Sequence, residues 1–473
     1  MIPLWTGRAF LDALGGDSAG RMPDDITGIS IDTRTLQQSD AFFAIRGERF
    51  DGHDFAPAAA ENGAAVLVVA REHAYALKKN GVPLVVVDDV LAALEKLAAA
   101  ARRRTRAKII AITGSVGKTT IKEVMRHAFS AFGRLHASPA SFNNHWGVPL
   151  TLARMPADTD FGIFEIGMNH ENEIRPLVKL VAPDLVVVTR IAAAHLGHFV
   201  SLEEIADAKS KIFEGLRAGG AALLNADDAF FAYLAEKAHA AGVVHVASFG
   251  AADGADYRLL DVHLHADCSC FKVMLGGEEA PIKIGAPGRH MVHNALAVLG
   301  TAGILGVDIA RVVLALQSFT PESGRGARYR LALPSSGAFL LIDESYNANP
   351  VSMGTGLALL GDCGTGQRGR RIAVLGDMLE LGRFSRQAHE ELAGPVRAAG
   401  VGLAFLGGHD MKYLADILRD DLQVHYCEKA GDLLPLVLNE VRAGDVVMVK
   451  SSNGIGLSRI VAALLDRYEP ARS

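Results

Sequence analysis

The run TGSVGKTT (113–120) carries the densest chemistry in the chain. Gly114 and Gly117 let successive backbone N–H groups turn inward around an anion, and a helix starting here adds the partial positive charge of its N-terminus. Lys118 can reach terminal phosphates, and the Thr119 hydroxyl can ligate Mg²⁺. The general pattern G-x-x-x-x-G-K-[ST] would need a glycine at Ile112, so this is the shorter G-x-x-G-K-T form. It predicts a nucleotide polyphosphate ligand and leaves the reaction open.

Three further positions invite a chemical reading. Glu165, near the end of FGIFEIG (161–167), can hold the Mg²⁺ that bridges ATP phosphates, or can simply pair with an arginine. His195 follows the apolar run DLVVVTRI (184–191) and is either a crevice residue or an ordinary structural histidine. Lys209 and Lys211 lie in SLEEIADAKSKIFEGL (201–216), a helix opened by a capping box from Ser201 to Glu204; by residue type both read as solvated charges. HLHADCSC places His263, His265, Cys268 and Cys270 at spacings that suggest zinc. We expect a structural role there, because no second ligand pair supports a metal.

These groups need a scaffold that brings strand ends together. KIIAIT (108–113), FGIFEIG, DLVVVTRI and AALLN (221–225) read as buried parallel strands separated by helical stretches, hence a doubly wound α/β sheet. A second series, FLLIDE (339–344), RIAVLGD (371–377), GLAFLG (402–407), VHYC (424–427) and DVVMVKSS (445–452), predicts a Rossmann-like C-terminal sheet. AFFAI (41–45), AVLVV (65–69) and PLVVVD (83–88) predict a small N-terminal α/β unit. ARRRTRAK (101–108) and SFTPESGRGAR (318–328) are the expected linkers, giving units 1–104, 105–321 and 322–473. Three units suit 473 residues, since domains average about 150.

Composition narrows the partners. A formal charge of −5 argues against a nucleic-acid backbone or an anionic membrane as the main partner. Four cysteines in so long a chain make no disulfide framework and fit a reducing compartment. The start, MIPLWTGRAFLDALGGDS, lacks a basic segment followed by an apolar one, and apolar runs are strand-sized, so no membrane span and a cytoplasmic location are expected.

Taken in order, TGSVGKTT, FEIGMN (164–169), AAAHL (192–196), the lysine of ADAKSKIFEGL, NADD (225–228) and GRHMVHNALA (288–297) resemble the Mur ligase family in order and spacing. The likeness extends through SIDTRTLQQSDAFFAIRGERFDGHDFAPAAAENGA (30–64), similar to the family's UDP-sugar-binding domain. DESYNANP (343–350) and GDMLELG (376–382) resemble most the member that acts on D-alanyl-D-alanine. The resemblance implies an ATP-dependent amide ligase with UDP-N-acetylmuramoyl-tripeptide and D-alanyl-D-alanine as substrates, two Mg²⁺ ions and a monomeric chain. It implies that Thr113, Gly114, Ser115, Val116, Gly117, Lys118, Thr119 and Thr120 cradle the phosphates, with Asn294, Glu344, Asn347 and Asn349 on the rest of the nucleotide. Arg325 would reach the γ-phosphate, and Lys118, His195, Lys209 and Arg325 would form the catalytic set. Thr119, Glu165, His195 and a carbamylated Lys209 would serve the metals, which replaces the solvated reading of Lys209.

The chain departs from the family at Met291, where asparagine is common, at Asn172, where glycine is usual, at Glu344, often aspartate, and in VKSSNGIG (449–456), which replaces a Lys-Gly-Ser-Arg run. Other classes fit less well. A folylpolyglutamate synthase would lack the N-terminal uridine-binding stretch, and a dehydrogenase would need a G-x-G-x-x-G after the first C-terminal strand. A switch or motor ATPase would turn over without an acyl acceptor.

Overall fold

Alternation along the strand Lys108–Thr113 organises the centre of the molecule: Ile110 and Ile112 enter one core, Ile109 and Ala111 the core on the opposite face. The neighbouring strands Leu185–Val188 and Ala221–Asn225 split their side chains between the same two cores. Strands apolar on both faces must be covered on both, and helices cover them. This computed structural model describes residues 3–139, 141–193, 199–334 and 337–471.

The central sheet has nine strands. Six of them, from Leu135–Ala137 to His245–Gly250, run parallel, as expected. The sheet then continues, contrary to a purely doubly wound reading, through Tyr257–Leu264, Ser269–Leu275 and Glu278–Ile284, whose mutual pairings are antiparallel. These strands are half-exposed, so they lack the long apolar runs that betray buried parallel strands. Their turn was legible: Gly276 and Gly277, at φ 57° and 91°, form the two-residue connection that matches the twist of a hairpin.

The C-terminal sheet has six strands, and Val446–Lys450 lies between Ala338–Glu344 and Arg371–Gly376. One edge strand, Ala327–Ala332, pairs antiparallel with Ala338–Glu344, and the others are parallel. The N-terminal sheet has five strands, four of them parallel and Asp17–Ala19 antiparallel at the edge. Three α/β units therefore follow one another. Among the described residues no helix is long and apolar enough to cross a membrane.

The first expected linker is mostly not one. Residues 101–104 are the last turn of the helix Val90–Arg104, and Lys108 already belongs to a strand. The basic run reads as a loop by composition, but its cations are employed. Arg102 donates to the Val181 and Ala182 carbonyls at 2.8 Å each, closing the end of the helix Ile174–Val181. Arg104 donates to Leu4 and Met155 and lies 3.4 Å over the Trp5 ring. The second stretch, 318–328, is irregular until strand Ala327–Ala332 begins.

The first two units share a core. Leu150 and Ala153, from the helix Gly147–Ala153 of the central unit, pack in one cluster with Phe10, Val90, Leu94 and Leu97 of the N-terminal unit. Trp5 Nε1 donates to the Ala153 carbonyl at 3.1 Å, and Arg154 Nε to the Ile29 carbonyl at 2.7 Å. A chain beginning at Thr105 should therefore aggregate or melt well below the full-length protein, because both Leu150 and Ala153 go from 0 % exposure to solvent. In the intact chain, Leu150→Ala should cost about 3 kcal/mol, the usual range for a buried leucine, measurable by urea unfolding. Independent, reversible folding of the truncated chain would contradict the shared core.

Candidate active site

Parallel strands end in a row at one edge of the central sheet, and the expected chemistry gathers there. Gly114 leaves strand Lys108–Thr113 at φ 147°; a Cβ on it would stand 1.9 Å from Thr189 Oγ1, so only glycine fits. Gly117, at φ 87°, is the N-cap of the helix Lys118–Phe129, whose first N–H groups are left free for an anion. Ser115 fixes the loop laterally, its hydroxyl exchanging hydrogen bonds with the Ala192 carbonyl and N–H.

Thr119 and Glu165 meet directly. The Thr119 hydroxyl donates to Glu165 Oε2 at 2.7 Å and stands 3.1 Å from Ser141 Oγ; Asn143 Nδ2 donates to Glu165 Oε1 at 2.7 Å. Glu165 is 2 % exposed yet accepts on both oxygens. A carboxylate beside two hydroxyls is a hard-oxygen donor set of the kind Mg²⁺ takes. Lys118 folds back and donates to the Gly114 carbonyl at 2.7 Å. Burial, and then the Arg325 cation, lower its pKa against the opposing pull of Glu165.

The two lysines of the helix Leu202–Ser210 and its extension part company. Lys209 is 1 % exposed, and among the described residues no carboxylate pairs with it. Burial first, and the nearby Lys118 second, hold its amine well below the ordinary lysine range. The solvated reading fails for Lys209, and Lys211, 19 % exposed at its side chain, is held by Asp207 at 2.9 Å. Ser201 caps this helix through the Glu204 N–H, while the Glu204 carboxylate takes the Val200 N–H rather than that of Ser201. His195 lies outside the described residues.

From the C-terminal unit, Arg325 reaches across and donates to Ser141 Oγ at 3.0 Å, its guanidinium 3.9 Å from the Tyr346 ring centre. Asp343 builds the turn that carries it, accepting from Ser323 Oγ, Gly324 N, Ser345 N and Ser345 Oγ. Asp343 is thus consumed internally, and Glu344 is the carboxylate facing the cleft, paired with Lys450 at 3.0 Å. Lys450 also donates to the Asn347 carbonyl.

A cavity of about 880 Å³ joins these elements. All the expected nucleotide residues line it except Thr113 and Gly114. Thr113 is fully buried at the strand end, and Gly114 presses against Thr189 while its carbonyl holds Lys118. Asn349 lines the cavity, but its side chain caps the helix Pro350–Asp362 in a reciprocal bond pair with Ser352. The exposed Asn347 bends its own amide oxygen onto the Ala348 N–H. Asn294 touches Met291 Sδ at 3.8 Å, a weak contact where an asparagine would make a full hydrogen bond. Asn172 sits at φ 70°, a left-handed conformation that glycine prefers and asparagine tolerates.

Sequence reasoning missed Ser141 and Asn143, which no spacing singles out, and Thr189, Arg190, Asn225, Asp227 and Lys450. Thr189 and Arg190 follow a parallel strand, and Asn225 and Lys450 end one, so the strand-end rule that favoured Glu165 would have found them. The His263–Cys270 stretch makes no metal cluster: among the described residues only Asp51, His53 and His73 place three ligand atoms within 4.8 Å. That group is committed elsewhere. His53 Nδ1 faces Asp51 at 2.6 Å while Nε2 accepts the Ala70 N–H at 2.9 Å, and Asp51 also holds Arg46.

A mixed central sheet with a phosphate loop, a shared core with an N-terminal unit, and a C-terminal sheet contributing an arginine match known proteins along the whole chain. The Mur ligase family catalytic domain matches residues 25–102, the Mur ligase middle domain 112–302, and the Mur ligase glutamate ligase domain 330–453. The chain belongs to the Mur ligase family and is a ligase. Among its relatives are the UDP-N-acetylmuramoyl-tripeptide--D-alanyl-D-alanine ligases of Escherichia coli (strain K12), 32 % identical across 96 % of this chain and 97 % of that one, and of Rickettsia prowazekii (strain Madrid E), 30 % identical across 97 % and 99 %. The crystal structure of MurF from Acinetobacter baumannii superposes with a TM-score of 0.85 at 28 % identity, covering 98 % of this chain and all of that one.

Proposed function

We propose that this chain joins D-alanyl-D-alanine to UDP-N-acetylmuramoyl-tripeptide at the expense of ATP, as a cytoplasmic monomer of peptidoglycan synthesis. The observation that carries the reading is the meeting of Arg325, Ser141, Thr119 and Glu165 where two α/β units face each other across one cavity. In this reading residues 1–104 hold the UDP-sugar, 105–321 hold ATP, and 322–473 bring Arg325 and the dipeptide to the reacting centre.

A carboxylate is a poor acyl donor, so the tripeptide's terminal carboxylate attacks the γ-phosphate and becomes an acyl phosphate, with ADP leaving in line. Lys118 leaves the Gly114 carbonyl for the phosphate oxygens, and Arg325 approaches from the opposite wall; both offset charge on the transferring group. Thr119 and Glu165 are the residues that would hold Mg²⁺, with His195 and a carbamylated Lys209 serving a second ion; bound Mg²⁺ supplies further charge neutralisation. The dipeptide's amine then attacks the acyl carbon and phosphate departs. Enclosure between the two units keeps water from the acyl phosphate.

ADP release should require the UDP-muramoyl-tripeptide, and amide product should additionally require D-alanyl-D-alanine. A coupled ADP assay with each substrate omitted in turn checks this. Vigorous ATP hydrolysis with neither present would instead indicate a switch or motor.

A further inference from the structure

The helix that starts at Lys118 carries an unusual set of charges along its middle. Lys122 is fully buried and pairs with Glu123 at 2.9 Å; Glu123, itself 4 % exposed, also holds Arg126. Arg126 does not stop there. Its Nη2 reaches Glu322 at 2.6 Å, nearly two hundred residues on, in the irregular stretch leading to the C-terminal sheet. Glu322 begins the turn that carries Arg325: its carbonyl accepts the Arg325 N–H at 3.0 Å. At the far side of the same turn, Ser323 and Gly324 are held by Asp343. The turn is therefore gripped at two points, one on the phosphate-loop helix and one on the C-terminal sheet, with Arg325 projecting from between them.

We propose that Glu322 is a positioning residue: paired with Arg126, it fixes the interunit turn to the phosphate-loop helix and so sets where the Arg325 guanidinium enters the cleft. The inference rests on the reading that Arg325 faces the transferring phosphate. An ion pair as exposed as this one, 50 % and 44 % at its two side chains, adds little to stability. Its effect lies in geometry, because a misplacement of about 1 Å at a reacting group costs up to about 100-fold in rate. A cavity of about 570 Å³ beside the pair, lined by Glu123, Arg126, His127 and Glu322, leaves the turn room to shift once the pair is broken.

The test is a set of variants of the full-length enzyme. Glu322→Gln should lower kcat about tenfold while the melting temperature stays that of the parent, and in an Arg325→Ala background it should change kcat less than about twofold, because the two act through one group. Arg126→Met should mimic Glu322→Gln, and combining them should add nothing; because Arg126 and Glu322 both lie against buried Glu123, the melting temperature is read for every variant. A normal kcat in Glu322→Gln, with Arg325→Ala crippled, overturns the positioning role alone. Full additivity of Glu322→Gln and Arg325→Ala overturns it too. Normal turnover in Arg325→Ala would show that the reading of Arg325 is at fault, and the positioning role falls with it.

Discussion

Lys118→Ala should cut kcat by on the order of 10³ or more, as expected when a charge-stabilising group is removed from phosphoryl transfer. The protein should nonetheless fold at least as well as its parent. Burial disfavours the Lys118 ammonium, and Arg325 adds to this against the opposing pull of Glu165, so its charge is not what holds the fold together. The same shift has a pH consequence. Because the pKa is lowered, the cation is lost as pH rises through a value below the ordinary lysine range, and nucleotide affinity should weaken there. In Lys118→Ala that alkaline loss should be blunted. Calorimetric titration with ATP across pH, alongside turnover and thermal melting, separates the effects. Near-normal turnover in a folded Lys118→Ala protein would remove the loop from the mechanism.

The second large effect concerns Lys209. Carbamylation joins a neutral amine and CO₂ to give R–NH–COO⁻ and one proton, so it needs an amine unprotonated near neutral pH. An exposed lysine is not, but Lys209, 1 % exposed and facing the Lys118 charge, is pushed in that direction. The product would replace a disfavoured cation with an anion suited to the neighbouring Lys118 charge and to divalent ions. Lys209→Ala should lose nearly all activity, on the order of 10³-fold by the same charge argument. Lys211→Ala should lose little, because that side chain points about 200° around the helix and pairs with Asp207. Formate should partly restore Lys209→Ala and do nothing for Lys118→Ala, where a cation is missing. A ¹³C resonance of a carbamate should appear on equilibrating the parent with labelled bicarbonate, and vanish in Lys209→Ala. Undiminished activity of Lys209→Ala would end the carbamate role.

These lysines also show what the sequence could and could not tell. The strand-turn-helix around 113–120 was readable because glycine spacing, an apolar strand and a lysine-threonine pair all agree. Lys209 was not readable from its own neighbourhood: its helix has charges on several sides, and only tertiary packing decides which lysine is sealed inside. ARRRTRAK misled for the opposite reason. Its polar composition suggests a tether, yet Arg102 and Arg104 reach backbone carbonyls more than fifty residues away that no local pattern announces. The antiparallel extension escaped because half-exposed strands carry no long apolar run, though Phe271, Val273 and Leu275 fall at alternate positions and the paired glycines 276–277 mark the turn. At 343–344 two acids stand side by side, and residue type does not say which of them a turn consumes. Strand parity sends one inward to satisfy a turn and the other to the cleft.

The apolar seam formed by Leu150, Ala153, Leu94 and Leu97 has a mechanical corollary. Seamed together, the first two units should move as one body, whereas the C-terminal sheet meets them through an irregular stretch and side-chain contacts and is the unit expected to shift. The distance from the N-terminal unit to the phosphate loop should then be set on folding and stay the same whatever the cleft holds. Spin labels at exposed Tyr75 and Glu236 should report one narrow separation in every ligation state, while a label pair from Glu236 to Ile417 should change its distribution when substrates arrive.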